Sequence, residues 1–269
     1  MSGFMTVRML RLHVLLLTVC STAFAEGDLE SRVALPSDPR ATVIELFESR
    51  SGVGSGRARR TLVVTADGRV RVAAGNGVDR ETRTRISEDE LTALLSEVVA
   101  RHRFFECGSE EIEQEVERYG REAGLDWRFP NATTTIIRIR TAEGTHEVRC
   151  TAAELLAERF PDATLVQDFN GVLQRLQNLI AVTQIGGSTE AQRLCDIANS
   201  ELRITGGRRQ GVTARDIQFV REDRQGLRFV QFLWDSNEGS DRRQSLISVF
   251  ESQDSPAQVT ITPLPRRKR

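Results

Sequence analysis

The chain has 269 residues, 39% hydrophobic and 28% charged, with a formal net charge of −1; that is enough for two modest domains or one large one, with ample apolar content for a core. Near-neutral charge and 6% aromatic content give no electrostatic or stacking reason to expect nucleic acid or an anionic membrane as partner. Of the 37 basic residues only Lys268 is lysine, and it sits in the terminal basic run, which excludes Schiff-base and phosphate-loop lysine chemistry.

Residues 1–25 read as a secretory signal peptide. Arg8 and Arg11 precede an apolar run over 12–19, and Ala23, Phe24 and Ala25 form a small-x-small cleavage site. The run is far shorter than the ~20 residues a bilayer crossing needs. The expectation is a secreted or periplasmic chain without a membrane span. A lipoprotein reading would use Cys20, with bulky Val19 before it. Cleavage removes two arginines and takes the net charge from −1 to −3.

Residues 26–40 are a polar leader with Pro36 and Pro39. A strand is expected over 41–48, then a flexible Gly/Ser loop over 51–56. Glycines 52, 54 and 56 lack the third glycine and following helix of a dinucleotide-binding turn. Strands at 61–65 and 69–73 flank Asp67 and Gly68, a hairpin signal. Ser87 with Glu90 is a capping box, and Leu91, Leu94, Leu95, Val98 and Val99 follow at helical spacing. The acidic stretch 109–117 predicts a short helix with a solvated face. Residues 133–140 alternate as a half-buried strand that turns at Glu143 and Gly144 into 145–150. Helical patterns follow over 152–160 and 165–180. Residues 41–182 therefore predict an α+β domain, an antiparallel sheet with helices on one side.

A linker is expected over 183–188. Beyond it Ala191, Leu194, Cys195, Ala198 and Leu202 make the apolar stripe of another helix, and strands follow over 216–221, 227–234, 244–251 and 258–263. In 227–234 the apolar phase shifts: Leu227 and Phe229 share one parity, Val230, Phe232 and Trp234 the other. Either a bulge or burial on both faces accounts for it. The whole predicts two α+β domains, each an antiparallel sheet packed with helices, the second spanning 189–264 before a basic tail at 265–269.

Export makes disulfides possible, and the mature chain keeps Cys107, Cys150 and Cys195. Cys107 and Cys150 are the expected pair, with three unpaired thiols as the alternative, and Cys195 is expected to be a buried small hydrophobe on its helix. His102 and His146 lie at no metal-binding spacing; there is no His-Glu-x-x-His, no Cys-x-x-Cys and no Gly-x-Ser-x-Gly. A Cys107–His102 dyad with Cys107 as nucleophile is conceivable, but a disulfide cysteine and a surface histidine are the expectation. A non-enzymatic protein without cofactor or metal is the expectation.

Three features of residues 185–262 resemble the cystatin family. Gly186 and Gly187 precede the helix. The helix segment from Leu194 through Cys195, Asp196, Ile197 and Ala198 to Glu201 is similar to the family's pattern. Val249 and Phe250, a turn, and Val259, Thr260 and Ile261 resemble its last two strands. The resemblance implies a helix wrapped by a four- or five-stranded meander. It also implies docking on, or inhibition of, a papain-like cysteine protease by a glycine segment and two hairpins, Gln-x-Val-x-Gly and Pro-Trp. Here the first hairpin reads Glu222, Asp223, Arg224, Gln225, Gly226, so only the glycine keeps the pattern, and the second has Pro256 but no tryptophan. Burying Glu222 and Arg224 unpaired in a cleft would cost on the order of several kcal/mol. The implied partner is a cysteine protease or another exported protein; the other reading is a structural or envelope interaction module.

Overall fold

The computed structural model describes residues 33–50, 58–75, 78, 80–204, 211–223, 226–238, 241–252 and 255–265. The signal peptide, the Gly/Ser loop, Arg224, Gln225 and nearly all of the basic tail lie outside them. The described residues form ten strands in two antiparallel sheets, with five α-helices. The fold is mixed α+β, as the periodicities predict.

The first sheet has the order β4-β3-β2-β1-β5-β6. Its strands are β1 (Thr42–Arg50), β2 (Arg59–Thr65), β3 (Arg69–Val72), β4 (Thr82–Arg85), β5 (Thr133–Thr141) and β6 (Gly144–Thr151). Period-2 alternation sorts its faces. Ile44, Leu46, Leu62, Val64, Val70, Val72, Ile137, Ile139 and Val148 point inward and are all but fully buried. The outward face is ionic. Glu45 accepts from Arg60 (2.9 Å) and Arg138 (3.0 Å), and Arg138 continues to Glu147. Arg138 of β5 thus holds carboxylates on the strands to either side, β1 and β6.

Helix α1 (Glu88–Ser96) begins with the predicted capping box. Ser87 Oγ accepts from the Glu90 amide and the Glu90 carboxylate accepts from the Ser87 amide. The helix continues as a π-turn, Glu97–Arg101. The acidic stretch forms α2 (Ser109–Ala123), fifteen residues rather than a short helix. Ile112 and Val116 are buried and Tyr119 is partly buried against the same core, which recruits the whole segment. Helices α3 (Ala153–Arg159) and α4 (Thr164–Gln184) complete this layer.

Helix α4 has 21 residues, roughly 31 Å at 1.5 Å per residue. Val166, Phe169, Val172, Leu173, Leu176 and Ile180 lie in the first core. Its last turn, with Ala181 and then Ile185, enters a second. That second core lies between α5 (Ser188–Ile204) and a meander of order β10-β9-β8-β7. Those strands are β7 (Ile217–Glu222), β8 (Arg228–Glu238), β9 (Asp241–Ser252) and β10 (Ser255–Pro263). All five stripe residues of α5, from Ala191 to Leu202, are buried against it.

The phase shift in β8 resolves in favour of two differently used faces. Val230, Phe232 and Trp234 point into the core. Phe229 points outward, where it meets Phe250 at 4.8 Å and Phe219 at 6.0 Å between ring centroids. The irregularity sits in β7, between Ile217 and Phe219, not in β8.

The segment 183–188, read from sequence as a linker, holds the end of α4, a three-residue turn over 185–187 and the start of α5. Thr183 and Ile185 are 1% and 3% exposed. Asn178, buried in α4, joins the two cores through polar bonds. Its Nδ2 donates to the Ala214 carbonyl (2.8 Å) and the Ile217 carbonyl (3.2 Å), and its Oδ1 accepts from Arg175 (2.9 Å). Replacing Asn178 with Ala leaves the part-buried Ala214 carbonyl and the buried Ile217 carbonyl without this donor. We expect a loss of about 2 kcal/mol, read as a lower urea midpoint.

Candidate functional site

A cleft of about 670 Å³ opens where the two sheets meet. One wall is β4 with Thr82 and Arg83, and the residues before it, Arg80 and Glu81. The other is the end of α4 with Thr183 and Gly186, and the ends of the meander with Glu222, Gly226, Arg228, Glu251 and Ser252.

The chain reaches this point by left-handed turns. Gly186 and Gly187 have φ of +109° and +99°, a region where a Cβ is strained. Their amides donate to the Thr183 and Val182 carbonyls, ending α4, and the Gly187 carbonyl accepts from Ala191 to start α5. A Cβ on Gly187 would lie 2.9 Å from Thr84 Oγ1, so this glycine also lets β4 approach. Gly226, at φ +77°, closes the β7–β8 hairpin by donating to the Asp223 carbonyl. Asp223 Oδ1 accepts from the Leu227 amide at 2.9 Å.

The sequence-predicted residues Gly186, Glu222 and Gly226 thus meet at one end of the second sheet. Gly187 lies beside them under β4, and Asp223 is exposed at the hairpin. Pro256 is exposed at the start of β10 and does not line the cleft. Glu222 is not a bare charge: Arg80 of the first lobe donates to it at 3.2 Å.

Beneath the hairpins lies an ion ring that sequence reading missed. Arg193 bonds Glu190 (2.8 Å) and Glu251 (2.5 Å); Arg228 bonds Glu190 (2.9 Å) and faces Glu251 at 3.5 Å. Arg228 also donates to the Ile185 carbonyl at 3.0 Å. The i, i+3 spacing of Glu190 and Arg193 was readable. The opposition of Arg228 and Glu251 depends on the β8–β9 register and was not. Hydrogen bonds from Arg193, helped by the charges of Arg193 and Arg228, hold the Glu190 carboxyl below its ordinary value against burial, which pushes it up. Hydrogen bonds to Glu190 and Glu251 raise the Arg193 guanidinium further.

The expected Cys107–Cys150 disulfide is not formed; Cys107, Cys150 and Cys195 are free and buried. The chain from Cys107 to Ser109 runs along β6. The Cys107 carbonyl meets His146 Nε2 at 2.7 Å and Ser109 Oγ accepts from the Arg149 amide. A disulfide needs Cα atoms within ~7 Å, and the two cysteines do not come within that reach. Nor does Cys107 face a histidine ring as a nucleophile would. Its Sγ lies against the His102 and Arg103 carbonyls. Burial pushes its thiol up to about 12, the reverse of an activated cysteine. His146, packed between Phe104 and Phe105, is the histidine that reaches Cys107, and it touches the backbone. Among the described residues no group of three His, Cys, Asp or Glu side chains could hold a metal ion. None of their helices is long and apolar enough to cross a membrane.

Two outcomes follow from these geometries. Ellman's reagent at neutral pH should leave Cys107, Cys150 and Cys195 unreacted in the folded protein and label all three on unfolding; burial pushes each thiol to about 12. Glu190 has a folded value below its ordinary 4.5. Its stabilisation is present above that ordinary value and lost as pH falls through the depressed one. Glu190→Gln should cost about 1 kcal/mol at neutral pH and flatten the acid limb of the stability curve below it. Comparison with protein-family models, curated proteins and solved structures returned no match.

Proposed function

We propose that this chain is an exported, non-enzymatic binding protein that docks a protein partner at the end of its second lobe. The observation that carries this reading is the convergence of the α4–α5 glycine turn, the β7–β8 hairpin and the end of β9 around one cleft. A helix followed by a four-stranded meander, with the glycine turn and the first hairpin at one end, fits a cystatin-like layout in part, with Pro256 of the second hairpin standing outside the cleft. Docking on a papain-like cysteine protease is its specific form. Export rests on the segment 1–25 with Arg8, Arg11 and the Ala23–Ala25 cleavage site.

A second reading has its own observation. Arg80 bonds Glu222, Gln184 Nε2 donates to the Gly75 carbonyl at 3.4 Å, and Gly187 packs under Thr84. These contacts join the lobes at the same edge, as a structural module would require. They also place polar groups where a protease wedge presents apolar ones.

Titration of papain separates the two. Docking in the inhibitory manner predicts slowed hydrolysis at micromolar protein, with one-to-one stoichiometry. The slowing should weaken at least tenfold when Gly226, which closes the hairpin, becomes Arg. Full papain activity at micromolar protein overturns the protease form and leaves the scaffold reading.

A further inference from the structure

The outer strands of the two sheets are β4, β6, β7 and β10, and the first three are guarded. β4 alternates threonine with Arg83 and Arg85. β6 carries Glu147 and Arg149, and the chain before α2 lies along it, with Ser109 Oγ accepting from the Arg149 amide. β7 has its Ile217 carbonyl held by Asn178 and ends in Arg221 and Glu222. β10 differs. From Ser255 to Pro265 the sequence holds no charge, in a chain that is 28% charged, and β-branched Val259, Thr260, Ile261 and Thr262 fill its middle. A strand edge without charges is a template for another strand. From this edge we infer that two copies of the chain pair β10 to β10, antiparallel about a two-fold axis at Thr260, and join their meanders into one sheet.

The backbone selects that register. The Leu264 amide donates to the Gln244 carbonyl at 2.8 Å, and Gln258, Thr260 and Thr262 share its parity opposite Phe250, Ser248 and Leu246 of β9. In an antiparallel ladder such residues bond the neighbouring strand, while those between them turn N–H and C=O the other way. Val259 and Ile261 therefore direct both groups to the free edge, where among the described residues nothing hydrogen-bonds them. Pro263 has the same parity but no N–H, and ends the run. An axis at Thr260 sets Val259 opposite Ile261 of the second copy, so each donor meets an acceptor in both directions. The side chains select an identical partner. Val259 and Ile261 pack against the second core yet stay partly exposed, and the same two residues from a second copy extend that apolar floor. Thr260 is exposed on the other face and meets its own counterpart, a favourable cross-strand pair. A charged strand would find no opposite charge along this edge. Antiparallel order also sets the two runs of Arg266, Arg267, Lys268 and Arg269 at opposite ends of the joint, whereas parallel order would put like charges side by side. Closed two-fold pairing is the commonest form of oligomer. β10 is the edge of the meander farthest from β7, so this inference does not rest on the docking reading: papain activity tests that one, and oligomeric state tests this one.

Sedimentation equilibrium is run on the chain from residue 26 onward, which keeps every described residue. A reversible dimer should dominate at about 100 µM protein, with a Kd on the order of 10 µM. Thr260→Lys changes an exposed position and sets like charges opposite each other across the axis; it should weaken the dimer at least about tenfold. Thr260→Glu should do the same. An equimolar mixture of the two variants should recover the dimer, because unlike charges then meet. Ile261→Pro removes the outward donor without touching the bonds to β9 and should give a monomer with an unchanged circular dichroism spectrum. If that variant fails to fold, the Thr260 pair carries the test alone. Phe219→Ser, on the exposed aromatic face of β7, should leave the dimer intact. A monomeric parent chain at about 100 µM, a full-strength dimer in Thr260→Lys, no recovery in the mixture, or loss of the dimer in folded Phe219→Ser overturns the inference.

Discussion

The burial of α4 on two cores at once is the constraint from which the rest follows. One helix buries apolar residues from Val166 to Ile180 in the first core and Ala181, followed by Ile185, in the second. A polar residue inside such a rod must find partners within the protein. Asn178 does so on the carbonyls that begin the second sheet. Hydrophobic burial supplies the attraction, but it is indifferent to direction. The amide bonds of Asn178 supply direction and fix how the meander is hung from the helix.

The two lobes face their surroundings differently although both are antiparallel sheets covered on one side. The first turns arginines and glutamates outward, paired across strands, which keeps a long sheet soluble without an alternative covering layer. The second turns a phenylalanine cluster outward, with Phe219 and Phe250 each more than a third exposed. At the junction the ring of Glu190, Arg193, Arg228 and Glu251 takes the place of apolar packing, partly buried except at Arg193. A charged seam in that place is specific rather than strong, because each ion gives up solvation for its partners.

Local signals were readable in the sequence wherever they were complete within one element. The Ser87 capping box, the Asp67–Gly68 turn and the stripe from Ala191 to Leu202 each specify their structure without help. The length of α2 was not readable, because its polar residues are helical only by virtue of Ile112, Val116 and Tyr119 packing on the core. The cysteine pairing failed for a related reason. Proximity of Cys107 and Cys150 within one domain says nothing about their register along β6. At the site, the glycines and the hairpin were visible as turn chemistry. The role of Arg80 and the placement of Thr82 were not, since they reach the cleft from a strand about a hundred residues earlier. A contact between lobes leaves no periodic trace in either.

The continuity of α4 has a mechanical consequence. In many two-lobed proteins a flexible crossing lets the halves swing like a jaw. Here the crossing is a helix end followed by two glycines, already pinned by β4 above and by Arg228 below. Opening the mouth by rotation would require unwinding the last turn of α4 or tearing Asn178 from β7. The aperture therefore has a set width, and whatever enters must fit it as it stands, with adjustment left to the arginine side chains at its rim.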